Sequence, residues 1–285
     1  MEIEKLVIEA TKGSRAALDS IVSEIQDKIY YLALRMLVNP EDAKDATQEI
    51  LIKVITNLSS FKFESKFETW VYRVAVNYLI SNKKVLDRTP DLTFDVYKRE
   101  LESDLQEPSE FQNLPDYKIL LNELRISCTM AMLLCLKPAH RMAYILGDIL
   151  EMDHIEASKT LSISKDNFRK QLSRARTKVV EFTSKSCGLV SDHAKCSCEK
   201  KLTGVINRKC IDPAHMQFHE SCQNSYSEIK KSLAETQITL RTLKLQNSVI
   251  PYKCPSELSD IIGLLVNEGV KTNKRMWRQA PLERD

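Results

Sequence analysis

Between Ser164 and Arg176 the chain carries five cations against one acid, and this basic stretch follows a short helix-forming run across a tight connection. The run is His154 to Thr160, and the connection is Leu161-Ser162-Ile163-Ser164. Ala157 is small where two helices must approach closely, while Leu161 and Ile163 supply an apolar pin between them. A short helix, a tight turn and a basic second helix with a polar first turn make a helix-turn-helix, whose second helix enters a DNA major groove. The chemistry such a unit offers is attachment to phosphates and reading of base edges, not catalysis. The plainer reading is a surface helix with solvated cations, and a lone basic helix does not decide between the two.

A second unit upstream does decide. Asn39 to Val54 reads as a helix with Asn39 as N-cap and Pro40 at its first position. Ala43, Ala46, Ile50 and Val54 keep the spacing of a buried stripe. Asp42, Asp45 and Glu49 fall on another face. Acids in a first turn suit the helix dipole, which accounts for Asp42 and in part Asp45, but not for Gln48 and Glu49 deeper in the helix. A polar ridge beside a buried stripe suits protein docking. Next, five aromatics stand within twelve residues from Phe61 to Tyr72, interleaved with Lys62 and Lys66 and followed by Arg73, Lys83, Lys84 and Arg88. Aromatic faces stack on unpaired bases while cations follow the backbone. Phe67 and Val74 are read as core, and Trp70 partly so. The loop from Phe61 to Lys66 gains little by displaying rings unless they serve a ligand.

With these residues in place the chain resembles a bacterial RNA polymerase sigma factor of the extracytoplasmic-function group of the sigma-70 family. The resemblance rests on DAKDATQEILIKV, FKFESKFETWVYRVAVN and the terminal helix-turn-helix ending in LSRAR, in the family's order, and spans about residues 14 to 183. It implies a first helical domain that binds the polymerase clamp and opens and reads the −10 element, and a second that reads the −35 element. By position, Asp45, Gln48 and Glu49 match the polymerase-binding segment. The loop Phe61, Lys62, Phe63, Glu64 and Ser65 matches the one that captures a flipped −10 base. Trp70, Tyr72, Arg73 and Asn77 match the melting and reading helix. Asn167, Arg169, Lys170, Ser173 and Arg174 stand where −35 reading residues fall. Three positions depart from the family pattern: Phe63 and Ser162 replace glycines, and Val76 replaces a cation.

A net charge of +3 looks mild for a DNA binder, but it averages over a divided chain. From Asp87 to Asp116 there are nine acids and three cations, with Pro90, Pro108 and Pro115, so this stretch reads as a linker. It is either a solvated spacer or an acidic strand that competes with RNA for basic channel walls. The chain opens Met1-Glu2-Ile3-Glu4-Lys5 with no signal-peptide pattern, and its longest apolar runs are too short to cross a bilayer. A cytoplasmic location without membrane insertion is expected.

Six of the eight cysteines fall in the last hundred residues: Cys187, Cys196, Cys198, Cys210, Cys222 and Cys254. Three readings stay open: a zinc or copper site, a redox switch, and structural thiols packing a small helical domain. For a metal, Cys187, Cys196, Cys198 and Cys210 are the candidates, with His193 or His215 as substitutes. Cys128 and Cys135 are read as core. Ser225 and Glu228 form a capping box, and Tyr226, Ile229, Leu233, Thr236, Leu240 and Leu243 continue it as one amphipathic stripe. A shorter helix is expected after Ser256, with Leu258, Ile261, Ile262 and Leu265 on one face.

The expected fold is all-α. Two small helical domains, 14–86 (sigma region 2) and 117–184 (the region 4 helix-turn-helix), are joined by a flexible acidic linker, 87–116, and followed by a helical Cys-rich extension, 185–285. The expected partners are core RNA polymerase and promoter DNA, with an anti-sigma factor left open. No catalytic spacing is evident and no cofactor is needed for initiation. The competing reading is a stand-alone helix-turn-helix regulator that binds duplex without polymerase.

Overall fold

Asn39 starts a helix by accepting the Asp42 backbone N–H at 3.0 Å, with Pro40 in the first turn where no N–H is needed. The computed structural model, which describes residues 2–81, 92–107, 110–113, 115–218, 225–249 and 252–255, shows this helix as α3 (Pro40–Thr56). Ala43, Ala46, Ile50 and Val54 are all buried, as their spacing predicts. They pack on α2 (Arg15–Leu37), which is capped by Ser14 and ends where Val38 turns left-handed at φ 68°. α1 (Glu2–Thr11) lies against α2, and α4 (Phe67–Ser81) closes this first bundle.

The acidic stretch is not solvated spacer where it is described. Phe94–Glu102 forms a helix, α5, capped by Thr93. Tyr97 and Leu101, four residues apart and so on one face, are buried. The rings of Phe94 and Tyr97 meet Phe182 at 5.1 and 5.6 Å. Local charge and prolines hid this amphipathic turn from the sequence reading.

The second half runs through α6 (Tyr117–Ala131), a 3-10 turn (Met132–Cys135), and α7 (Pro138–Tyr144) with a π-helical turn (Ile145–Ile149). The helix-turn-helix follows as α8 (His154–Thr160) and α9 (Lys165–Ser186). Beyond it the tail folds as α10 (Cys198–Asn207), α11 (Tyr226–Ala234) and α12 (Ile238–Asn247). The capping box of Ser225 and Glu228 is present at α11. The single long stripe expected from Tyr226 to Leu243 is broken at Glu235–Gln237, which resets the helical phase. Leu240 and Leu243 are therefore exposed, while Thr242, Leu245 and Gln246 face inward. The helix expected after Ser256 lies outside the described residues, as do Lys83, Lys84 and Arg88.

The tail does not form a core by itself. Leu189, Val190, Leu202, Val205, Ile229 and Leu233 pack with Leu120, Leu121 and Leu124 of α6. A larger core, meanwhile, is continuous from the first bundle into the helix-turn-helix and on to Val249 and Tyr252 of the tail. At the junction stands Arg141, 3 % exposed, which donates to the carbonyls of Met36 at 2.7 Å and of Leu134 and Leu136 at 3.1 Å. One side chain thus caps the end of α2 and the turn before α7. Arg141→Met keeps the bulk and orphans three carbonyls. Chemical denaturation should show a loss of about 3 kcal/mol, since each unsatisfied buried group costs ~1–3 kcal/mol.

Candidate polymerase and nucleic-acid interfaces

On α3 the expected polymerase-binding residues share a ridge, with Asp45 and Glu49 exposed and Gln48 half-buried. The buried stripe on the opposite side fixes their outward direction.

The loop before α4 is built from rings. Phe61 packs on Phe63, Phe67 and Trp70 at centroid distances of 4.7, 5.4 and 5.7 Å, and Phe67 stacks on Trp70 at 5.7 Å. Phe61 is buried, so it supports this group rather than offering itself to a base. Phe63 is the ring on display, 49 % exposed and held at φ 58°. A bulky residue in left-handed conformation is costly and marks a site worth explaining. Lys62 and Glu64 beside it are exposed and Ser65 is half-buried.

On α4, Trp70 and Arg73 are half-buried and Asn77 is exposed. Tyr72 departs from expectation: it is 8 % exposed, and burial pushes its hydroxyl far above the usual phenol range. Its side chain belongs to the bundle interior in this arrangement, not to a DNA surface. Helical spacing alone did not separate Tyr72 from its exposed neighbours, because α4 is covered on several sides.

In the helix-turn-helix, Asp153 caps α8 by accepting the Ile155 N–H at 2.7 Å, and Ser164 caps α9 by accepting the Asn167 N–H at 3.2 Å. Ser162, standing where the family pattern has glycine, adopts φ 55°, the strained conformation its position demands. Phe168, Leu172, Ala175 and Val179 are buried along one side of α9. Asn167, Arg169, Lys170, Ser173 and Arg174 consequently all stand exposed on the other sides.

Two supports of α9 escaped the sequence reading. Arg176 grips the buried Asp148 through two hydrogen bonds of 2.9 and 2.5 Å, a bidentate pair anchoring the reading helix to the π-helical turn. Gly147 meets α9 so closely that an added Cβ would stand 2.7 Å from Leu172 Cδ2. The only local signal was a glycine inside an apolar helix.

The tail cysteines are mostly inward. Cys196 and Cys254 are buried, Cys187 and Cys198 half-buried by surface and Cys210 exposed. Burial and neighbouring thiols push Cys187 and Cys196 up to about 12 and Cys198 well above its ordinary value. Among the described residues no group of three or more His, Cys, Asp or Glu is placed to hold a metal ion. His215 pairs instead with Asp212 at 2.9 Å. His193 lies in the loop before Cys196, and Cys222 lies outside the described residues. Cys128 is half-buried against the core, and its carbonyl accepts a hydrogen bond from the Tyr97 hydroxyl at 3.0 Å.

Residues 21–89 match the family model described as Sigma-70 region 2. The chain is 30 % identical over 178 residues to the ECF RNA polymerase sigma factor SigW of Bacillus subtilis (strain 168), covering 62 % of this chain and 94 % of that protein. It is 30 % identical over 175 residues to the ECF RNA polymerase sigma-E factor of Escherichia coli (strain K12), covering 60 % of this chain and 88 % of that protein. Against the ECF RNA polymerase sigma factor SigE of Mycolicibacterium smegmatis (strain ATCC 700084 / mc(2)155) it is 26 % identical over 183 residues, 63 % of this chain and 67 % of that one. Among the described residues no helix is long and apolar enough to cross a membrane.

Gly147→Ala should force Leu172 and α9 outward, lowering stability by about 1–3 kcal/mol, the usual range for overpacking. A urea melt followed by circular dichroism checks this, and an unchanged midpoint would show that α9 adapts freely.

Proposed function

The chain belongs to the extracytoplasmic-function group of the sigma-70 family of RNA polymerase sigma factors, and we propose which of its surfaces carry each step of initiation. As a sigma factor it directs core RNA polymerase to promoters and promotes DNA melting. Asp45, Gln48 and Glu49 dock on the polymerase. The aromatic loop captures a base of the −10 element, with Phe63 and Lys62 in contact and Phe61 behind them. Trp70, Arg73 and Asn77 follow the opened strand along α4, while Asn167, Arg169, Lys170, Ser173 and Arg174 read the −35 duplex.

The observation that carries this reading is the exposed Phe63 ring on a four-ring stack, on the same chain as a basic reading helix. A stand-alone regulator has no use for the first. Unstacking a base costs a few kcal/mol, which a capture site recovers. Binding energy therefore opens the duplex, and the chain needs no catalytic group of its own. It acts where polymerase and chromosome meet, in the cytoplasm.

The tail cysteines carry a separate, weaker part of the proposal. A zinc or copper ion at Cys187, Cys196, Cys198 and Cys210 requires Cys210 to leave the surface and the other three thiols to lose protons that burial retains. Competition with a zinc-binding dye at neutral pH, repeated with a copper(I) probe, detects such a site, and unchanged signals from both leave a redox switch or packing thiols.

Transcription by purified core polymerase from a genomic promoter library tests the main reading. Phe63→Ala should reduce open-complex formation about 10- to 100-fold, as expected from ~1–3 kcal/mol of base–aromatic stacking, without lowering the melting temperature. Arg174→Ala should weaken promoter binding by about 1–3 kcal/mol and relax the sequence preference within the −35 element while leaving the −10 preference unchanged. Undiminished initiation by both variants would remove these surfaces from the promoter contact.

A further inference from the structure

In this structure the two DNA-reading parts are held against each other. α8 of the helix-turn-helix packs on α4, and Lys66 of the aromatic loop is paired with Glu156 of α8 at 3.0 Å. A promoter places its −10 and −35 elements roughly 25 base pairs apart, on the order of 80 Å at 3.4 Å per base pair. Helices in side-chain contact do not span that distance, so this arrangement engages one element at most.

Across the junction lie two stretches of the tail, Thr242 to Val249 and Tyr252 to Cys254. Gln246, 0 % exposed, lies between α2 and α6: its carbonyl and side-chain oxygens accept from Arg35, and its amide donates to the Thr129 carbonyl at 3.2 Å. The Val249 carbonyl accepts from the Tyr31 hydroxyl at 2.9 Å. The Cys254 N–H donates to Asp27 at 2.8 Å, and Ser248 accepts from Arg125 at 2.6 Å. The Thr242 and Thr183 hydroxyls, 2.6 Å apart, join the segment to α9. Three helices from different parts of the chain thus close on one strip of tail.

The linker is held as well. Lys201 of α10 donates to the carbonyls of Glu100 and Ser103, the latter at 2.8 Å, and Arg208 pairs with Glu100 at 2.8 Å. Gly204 lets α10 come so near that an added Cβ would lie 2.7 Å from the Asp104 carbonyl oxygen. Of the linker acids, Glu100 and Asp104 pair with Arg208, Glu102 with Lys195 and Glu107 with Lys200.

We propose that the C-terminal extension is a built-in clamp: the residues Thr242 to Val249 and Tyr252 to Cys254, wedged between α2, α6 and α9, hold the two promoter-reading parts in a closed form too short to span a promoter. The clamp rests on the promoter roles assigned above to α4 and α9. Opening requires the strip to leave the seam, which lets the parts carrying α4 and α9 separate far enough to meet both elements at once.

The test uses the full chain and two tail variants that leave every proposed DNA and polymerase contact intact. Gln246→Ala removes the two side-chain bonds, to Arg35 and to the Thr129 carbonyl, while keeping the backbone carbonyl that also accepts from Arg35, and Val249→Asp places a charge in an apolar seam. Small-angle scattering gives the radius of gyration, about 19 Å for a compact chain of 285 residues. Both variants should expand by roughly 5 Å or more while keeping their helical circular dichroism, as an opened chain scales away from the compact value. With core polymerase they should initiate about ten-fold or more above the unaltered chain, consistent with loss of two buried hydrogen bonds in the first variant and a charge placed in the seam in the second. Variants as compact and no more active than the unaltered chain overturn the clamp. Expanded variants that stay silent with polymerase uphold the clamp and overturn the promoter roles instead.

Discussion

Arg35 is the constraint around which the closed form is arranged. Its guanidinium is 0 % exposed, and its partners in the structure are the Tyr31 hydroxyl, the Gln246 carbonyl and the Gln246 side-chain oxygen, all neutral. Taking a charge out of water costs several kcal/mol, and neutral acceptors offset that only in part. The seam is therefore held by good geometry working against a desolvation penalty. Water can replace both Gln246 acceptors once the tail departs, while the Tyr31 hydroxyl stays beside Arg35 on α2. Such a balance gives a closure that is well defined when formed and still within reach of opening. The apolar part of the seam, Val249 and Tyr252, supplies the net attraction.

The basic helix obeys a related logic in simpler form. Burial of Phe168, Leu172, Ala175 and Val179 fixes the rotation of α9, and the cations point outward as a consequence. Asp148 and Gly147 then fix its distance from the turn before it. Reading residues are placed by groups that never meet DNA.

How much of this was legible in the sequence follows from how local each signal is. Asn39, with Pro40 at the first helical position, and the Ser225–Glu228 box are caps whose partners lie within three residues, and each forms as its sequence predicts. The non-glycine turns at Phe63 and Ser162 could be located because a pattern of residue types marked them. Phe61 is covered in part by rings two to nine residues further on, whereas the burial of Tyr72 depends on what covers it from elsewhere in the chain. The same holds for the seam: Gln246 and Arg35 are 211 positions apart, and nothing in either local stretch points to the other. Between Glu235 and Gln237 a short break shifted the helical phase, so Leu240 and Leu243 were assigned to the wrong face. The family assignment survived all this because it rests on order and spacing of motifs, not on which side chains are covered.

Attachment through a peptide backbone gives the tail a property that no separate inhibitor has. A tethered segment meets its seam at an effective concentration on the order of millimolar, whatever the amount of protein in the cell. Its stoichiometry is fixed at one per molecule, so raising expression cannot outrun it. Release must come from something that competes for the seam or alters the strip itself, which makes response depend on occupancy by a ligand or partner and not on gene dosage.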